Sequence, residues 1–208
     1  MARFPKINLD ITHRCTLQCR RCNRAVFAMR NQKVPGEDLS IENFKKILAF
    51  FKEIYFCGQI SDPIFHPQFI EFLKLCKDNH NVIVHTAASH KPESWYKEAF
   101  EANKNALWTF GIDGLPKDSH KYRINQDGEK LFKMMCMASE MGLWVKWQYI
   151  VFKYNENDIE TARQMAKKHN IIFEVQKSSR FFSDDDLKPT NKNYYIERKE
   201  YDDNISKM

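Results

Sequence analysis

Short apolar runs alternate with longer amphipathic segments along most of the chain. We predict six strands, at residues 6–12, 53–57, 81–86, 106–112, 143–152 and 171–176. In the segments between them, apolar residues recur every three or four positions, which is typical of helices that bury one face. These helices are predicted at 41–51, 67–77, 93–102, 128–141 and 158–169. This alternation favours parallel strands joined by helical crossovers, and therefore an α/β fold.

Local signals indicate where several of these helices begin and end. Ser40 and Asn157 are predicted N-caps, because a short polar side chain can accept a hydrogen bond from the first turn. Glu160 completes a pair with Asn157 that resembles a capping box, and Gly142 is a suitable C-terminal residue. The stretch 23–39 is polar and receives no predicted element.

The length of 208 residues limits the architecture. A closed barrel of eight strand–helix units usually needs about 250 residues, so we predict a partial (βα)6 barrel that stays open. A flat, doubly wound sheet is the alternative, and the strand order cannot be read from the sequence. Residues 1–181 form the predicted core domain. The charged segment 182–208 is either a tail or an element that folds over the barrel.

Charge and hydropathy restrict the environment and the partners. The formal net charge is +6, but it is spread along the helices, so nucleic-acid binding is not indicated. No run approaches the roughly 18 apolar residues of a membrane span, and the N-terminus lacks a secretory apolar core. We therefore predict a cytoplasmic protein without membrane contact, in which the six cysteines stay reduced.

The most informative motif is C-x3-C-x2-C, formed by Cys15, Cys19 and Cys22 directly after the first predicted strand. Three thiolates on one loop can hold three corners of an iron–sulfur cube, although such clusters normally have four cysteine ligands. With only three cysteine ligands, one iron keeps a free coordination position for another ligand, as at reactive metal sites.

Other uses of these cysteines remain open. The remaining cysteines, Cys57, Cys76 and Cys136, are predicted to lie in the core. A tetrahedral zinc site with His13 as its fourth ligand is one alternative. A disulfide with one spare cysteine, or a chance grouping, is another.

The motif resembles the signature of the radical S-adenosylmethionine (radical SAM) superfamily, and the resemblance extends over about residues 6–181. Segment 56–67 (FCGQISDPIFHP) resembles the part that holds the amino group of SAM. Segments 85–89 (HTAAS) and 110–114 (FGIDG) resemble the ends of strands three and four. Arg123 follows at the spacing of an arginine that meets the SAM carboxylate. The pattern is most similar to the SPASM/Twitch-type branch, many of whose members modify peptides.

The resemblance implies an oxygen-sensitive enzyme with a [4Fe–4S] cluster on the three cysteines and SAM at the open iron. It also implies reductive cleavage of SAM to a 5′-deoxyadenosyl radical, which abstracts hydrogen from a substrate. The implied cofactor-binding residues are Arg21, Gly58, Gln59, Ser61, Asp62, Thr86, Ser89, Gly111, Asp113, Arg123, Gln148, Ile150 and Val151. A reductant such as flavodoxin or ferredoxin is the implied partner. A peptide is the favoured substrate, with a small metabolite or a nucleobase-like compound as alternatives.

Three departures from the family pattern support a rival interpretation. Arg21 stands where an aromatic residue usually contacts adenine, Gln59 replaces the second glycine of a Gly-Gly pair, and Gly111 replaces a serine. The cysteines that would bind auxiliary clusters are absent after Cys136. The rival is a non-catalytic Fe–S or zinc-binding interaction module on the same kind of barrel.

Overall fold

A computed structural model describes residues 5–181 and 185–197 and contains one sheet of six parallel strands. The strands are β1 (Lys6–Leu9), β2 (Glu53–Phe56), β3 (Asn81–Thr86), β4 (Leu107–Gly111), β5 (Trp144–Ile150) and β6 (Ile172–Gln176). Each strand pairs with the next one along the chain, and no pairing joins β1 to β6 among the described residues. This order is that of an open barrel. It excludes the doubly wound alternative, in which the strand order reverses within the sheet.

Within the described residues, six α-helices accompany the strands. They are α1 (Asn23–Met29), α2 (Ile41–Leu48), α3 (Phe69–Cys76), α4 (Glu93–Ala102), α5 (Gly128–Glu140) and α6 (Ile159–Lys168). The predicted cap at Ser40 is confirmed, since its side chain accepts a hydrogen bond from Asn43 N (3.2 Å). The prediction at Asn157 is wrong. The N-cap is Asp158, because Asn155 holds the preceding turn by accepting a bond from Asp158 N (3.0 Å).

The two faces of the sheet differ in polarity. The helices cover a face that carries large, fully buried side chains such as Trp108 and Trp147. The other face carries polar, half-buried side chains, among them Lys146 and Glu174, which form an ion pair of 2.5 Å between neighbouring strands. Closed barrels fill this inner face with branched apolar residues. In this protein the inner face is polar and stays open.

The described part of the C-terminal segment packs against the end of the barrel. Leu187 is buried in a cluster with Tyr122, Phe152 and Phe181, and its carbonyl accepts a hydrogen bond from Lys153 N (2.9 Å). Residues 182–184 and 198–208 lie outside the described residues. Within the described ranges, none of the helices has the length and apolar character to cross a membrane.

Candidate functional site

The three cysteines of the motif line a cavity beside the carboxyl ends of the strands. Cys15, Cys19 and Cys22 are free, half-buried thiols, and all three line a cavity of about 530 Å³. Cys22 is the N-cap of α1, and its backbone N–H donates to the carbonyl of Cys19 (3.1 Å). The start of α1 therefore fixes the spacing of the last two cysteines.

Arg24, on the first turn of α1, ties the cysteine loop to the segment after β2. Its Nη1 donates to the carbonyl oxygens of His13 (2.6 Å) and Ile60 (2.7 Å), and its Nη2 donates to that of Cys15 (3.3 Å). In the sequence, Arg24 appears only as one member of a basic cluster. Its internal role was not predictable, because backbone carbonyls leave no signature in the sequence.

Burial disfavours the thiolate form of Cys15 and Cys19 in the metal-free protein. It raises the pKa of Cys15 to about 12, and the charge of Asp62 acts in the same direction. Burial also raises the pKa of Cys19, although the positive charge of Arg123 opposes the shift. Because thiolates are the metal-binding form, ligation at these residues releases protons.

The turn after β2 closes tightly on itself. A Cβ atom at Gly58 would lie 2.2 Å from the backbone oxygen of Ser61, so any larger residue would force the turn open. Asp10, at the end of β1, accepts hydrogen bonds from Gln59 N (2.7 Å) and from the hydroxyl of Ser61. We did not predict this role for Asp10, because the sequence placed it inside the strand predicted at 6–12, whereas β1 ends at Leu9.

Asp62 joins the ends of β2 and β3. Its buried carboxylate accepts hydrogen bonds from Thr86 Oγ1 (2.9 Å), Ala87 N (2.8 Å) and Ala88 N (3.0 Å). Burial raises the pKa of Asp62, and these hydrogen bonds oppose the shift. Asp62 and Thr86 line a smaller cavity of about 170 Å³ next to the first. Their described side-chain hydrogen bonds are made to each other and to the backbone.

Replacing Thr86 by valine is expected to lower the free energy of unfolding by about 1.5–3 kcal/mol, the usual contribution of a hydrogen bond to a charged group. Thr109→Val, one strand away, is a matched control. The Thr109 hydroxyl is buried without a hydrogen-bond partner in the described structure, so its loss should be neutral or stabilising. Urea unfolding of the two metal-free variants measures the difference. Equal effects would contradict the role assigned to the Asp62–Thr86 bond.

A buried ion pair lies at the end of β4. Arg123 Nε is 2.7 Å from Asp113 Oδ2, with side-chain exposures of 14% and 0%, and Asp113 Oδ1 accepts a bond from Ile150 N (2.9 Å). A Cβ atom at Gly111 would lie 2.8 Å from Arg123 Nη2. The departure from serine at position 111 therefore leaves room for this guanidinium.

The other residues predicted to bind cofactor fall into two groups. Gln148 and Ile150 line the larger cavity, whereas Ser89, Val151 and Arg21 do not. The Ser89 hydroxyl accepts a bond from Asp127 N (2.8 Å). Val151 is fully buried, and Arg21 forms an ion pair with Asp185.

Several cavity-lining residues were not in the predicted set. Cys57 is half-buried and lines both cavities, so the expectation of a core position is wrong for Cys57, although it is confirmed for Cys76 and Cys136. His85 on β3 and residues 177–180 after β6 also line the larger cavity. Their place at the ends of strands was the signal that pointed to them, because active sites of βα-barrels lie there.

The three free thiols that line this cavity are compatible with an iron–sulfur cube. Over residues 5–181 and 185–197, no three His, Cys, Asp or Glu side chains are placed to hold one metal ion. Structural zinc needs four ligands around one atom. A cube instead binds its thiolates at separate irons, which fits three free thiols spread around one cavity. The tight glycine turn at Gly58 lines the same cavity and fits the close approach of a small polar ligand.

Comparison with known proteins identifies a family. The sequence model described as "Radical SAM superfamily" matches residues 9–166, which is more than half of the chain. None of the curated proteins that were compared matches it.

Solved structures with the same fold are distant in sequence. The crystal structure of Streptococcus suis SuiB superposes with a TM-score of 0.72 at 15% identity and covers 98% of this chain and 47% of that one. SuiB bound to its precursor peptide SuiA gives 0.68 at 14%, over 83% and 39%. Native anSMEcpe with bound AdoMet gives 0.62 at 15%, over 82% and 50%. The chain thus spans half or less of these proteins, and the likeness shows a shared fold.

Proposed function

Because the chain belongs to the radical SAM superfamily of enzymes, we propose that Cys15, Cys19 and Cys22 bind a [4Fe–4S] cluster and that S-adenosylmethionine binds beside it. One observation carries the proposal: the three free thiols and the tight turn at Gly58 line the same cavity. When bound, the two cofactors supply the chemistry: S-adenosylmethionine is cleaved reductively, and the resulting 5′-deoxyadenosyl radical abstracts hydrogen from the substrate.

The chain's own residues would bind and orient the cofactor. The turn at Gly58–Ser61 presents backbone groups at close range, and Asp10 keeps the turn closed by accepting two of its hydrogen bonds. Arg123 offers a cation that is already held in place by Asp113, and a guanidinium suits a carboxylate.

The remaining candidates divide by position. Gln148 and Ile150, on β5, are proposed to contact the adenosine part from the cavity wall. Ser89 and Val151 would act indirectly, by supporting the ends of β3 and β5.

We propose a peptide as the substrate class, with a small metabolite or a nucleobase-like compound as the other candidates. Two features support a peptide: the neighbour SuiB was crystallised with its precursor peptide, and the barrel of this chain is open along one side. An electron donor such as flavodoxin or ferredoxin is the proposed partner.

Anaerobic reconstitution with iron and sulfide tests this function. The protein is expected to turn brown, to hold about four irons per chain, and to release 5′-deoxyadenosine from S-adenosylmethionine when dithionite is added. Product is measured by liquid chromatography, with samples lacking reductant as the control.

Two results would count against the proposal. Cluster binding without any 5′-deoxyadenosine would favour the non-catalytic Fe–S module. A colourless protein that carries zinc bound by four protein atoms would end the cluster assignment itself.

A further inference from the structure

Two neighbouring carboxylates of the C-terminal segment contact the two arginines that lie between the last two cysteines of the motif. Asp186 accepts one hydrogen bond from each Nη of Arg20 (2.9 and 2.8 Å). Asp185 Oδ2 accepts from Nε (3.0 Å) and Nη2 (2.6 Å) of Arg21. The link between two proposed iron ligands is therefore held by a segment 164 residues further along the chain.

The two pairs differ in burial. The Asp186 and Arg20 side chains are 68% and 39% exposed, and water screens such pairs so well that they contribute little. The Asp185 side chain is fully buried, and that of Arg21 is 27% exposed. A buried carboxylate depends strongly on its cation, so the Asp185–Arg21 pair is the one that can fix the loop.

Asp185 is itself held in place by its neighbours. Its Oδ1 accepts a hydrogen bond from Leu187 N (3.1 Å). Leu187 is buried in the small apolar cluster at the end of the barrel, and Cys19 packs against the same cluster. The Asp185 carboxylate and Cys19 are thus both held by the same apolar cluster.

The segment after β6 also contacts the backbone of the cysteine loop. Arg180 Nη1 donates to the carbonyl of Arg21 (3.3 Å). Further along, Ile196 N donates to the carbonyl of Ser178 (3.1 Å), which joins the C-terminal segment to this loop. The described contacts therefore connect three parts of the chain around positions 19–22.

We infer that Asp185 is a positioning residue for the iron–sulfur cluster. Through its ion pair with Arg21, it holds Cys19 and Cys22 in the positions that bind iron. Its negative charge also balances positive charge beside the cluster. This inference rests on the proposed function. It assigns to the C-terminal segment a role in cluster assembly that the cysteine motif alone does not supply.

The charge balance gives the inference a readout that packing alone would not move. Net charge near a cluster is one of the factors that set its reduction potential. Loss of the Asp185 carboxylate makes the charge beside the cluster more positive, which favours the reduced cluster. Without the Arg21 cation, the carboxylate favours the oxidised cluster. The two substitutions should therefore shift the midpoint potential in opposite directions.

The test compares Asp185→Asn with Asp186→Asn in the full chain after anaerobic reconstitution. Asp185→Asn is expected to lower iron content at least about three-fold under limiting iron and to shift the midpoint potential to more positive values. Asp186→Asn should match the parent, because its pair is exposed. The thiol alkylation rate of each metal-free protein reports the loop arrangement independently of activity.

Each outcome has one meaning. If Asp185→Asn keeps the iron content, the potential and the alkylation rate of the parent, the inference is overturned while the proposed function stands. If the parent itself binds no cluster, the proposed function fails first. Should Asp185→Asn not fold, Arg21→Gln serves instead. A more negative midpoint potential in Arg21→Gln would support the inference, and an unchanged one would reject it.

Discussion

Replacing Cys15, Cys19 or Cys22 singly by alanine is expected to abolish both cluster assembly and release of 5′-deoxyadenosine. Each thiol is free and lines the same cavity, so each variant would leave the cluster with two protein ligands. Loss of an outer partner of a metal ligand already costs about 10–100-fold in affinity or activity. Loss of a ligand itself should exceed about 100-fold. Iron and sulfide content, visible absorbance and product release measure the effect.

Two further cysteines provide controls for this experiment. Cys136→Ala changes a thiol buried in the core on α5, and it should keep the iron content of the parent. Cys57→Ala changes a thiol that lines the same cavity as the motif, and it should also keep its iron. A loss of iron in Cys57→Ala would make Cys57 a fourth ligand and would rule out an open coordination position.

The fold was predictable from the sequence because its strands are short, apolar and regularly spaced. Strand β3 and helix α4 begin and end at the predicted residues. Helix α1 was missed because it has only seven residues, and the continuous apolar run at 25–29 shows no helical period; none of its residues is buried. The strand order could not be predicted, because it depends on pairing between distant segments.

The site was predictable only in part. Motif spacing predicted that the three cysteines lie together, and the family resemblance pointed to the turn at Gly58; these residues do line one cavity. Neither signal identified Asp10 or Asp185, whose partners lie 49 and 164 residues away. Polar contacts of this kind depend on the folded arrangement and leave no periodic trace. Gly111 illustrates the same limit: it departs from the family pattern, and only the position of Arg123 explains why a side chain is absent there.

Replacing Arg123 by leucine is expected to destabilise the protein by about 3–5 kcal/mol, the usual cost of leaving a buried charge without its partner. Asp113 is fully buried and pairs with Arg123 at 2.7 Å. Domains of this kind have total stabilities of about 5–15 kcal/mol, so the loss is a large part of the whole. Urea unfolding of the metal-free variant measures it without any contribution from a cofactor.

The double variant Asp113→Asn with Arg123→Leu separates the effect of the two charges from the effect of side-chain packing. Once both charges are gone, no unpaired ion remains buried at this site, and most of the lost stability should return. The amide oxygen that the first substitution introduces can still accept the hydrogen bond that Asp113 receives from Ile150 N. A double variant as unstable as Arg123→Leu alone would contradict this account.

The single variant should also depend on pH in a defined direction. Burial raises the pKa of Asp113 above its ordinary value of 3.8, and Arg123 opposes that shift. Without the guanidinium, the folded-state pKa rises further, so folding favours the protonated carboxyl. Such a group contributes its full stability below the unfolded-state pKa and loses it as the pH rises through the folded-state pKa. The deficit of Arg123→Leu relative to the parent should therefore be larger at about pH 8 than at about pH 5, whereas the double variant should show no such trend.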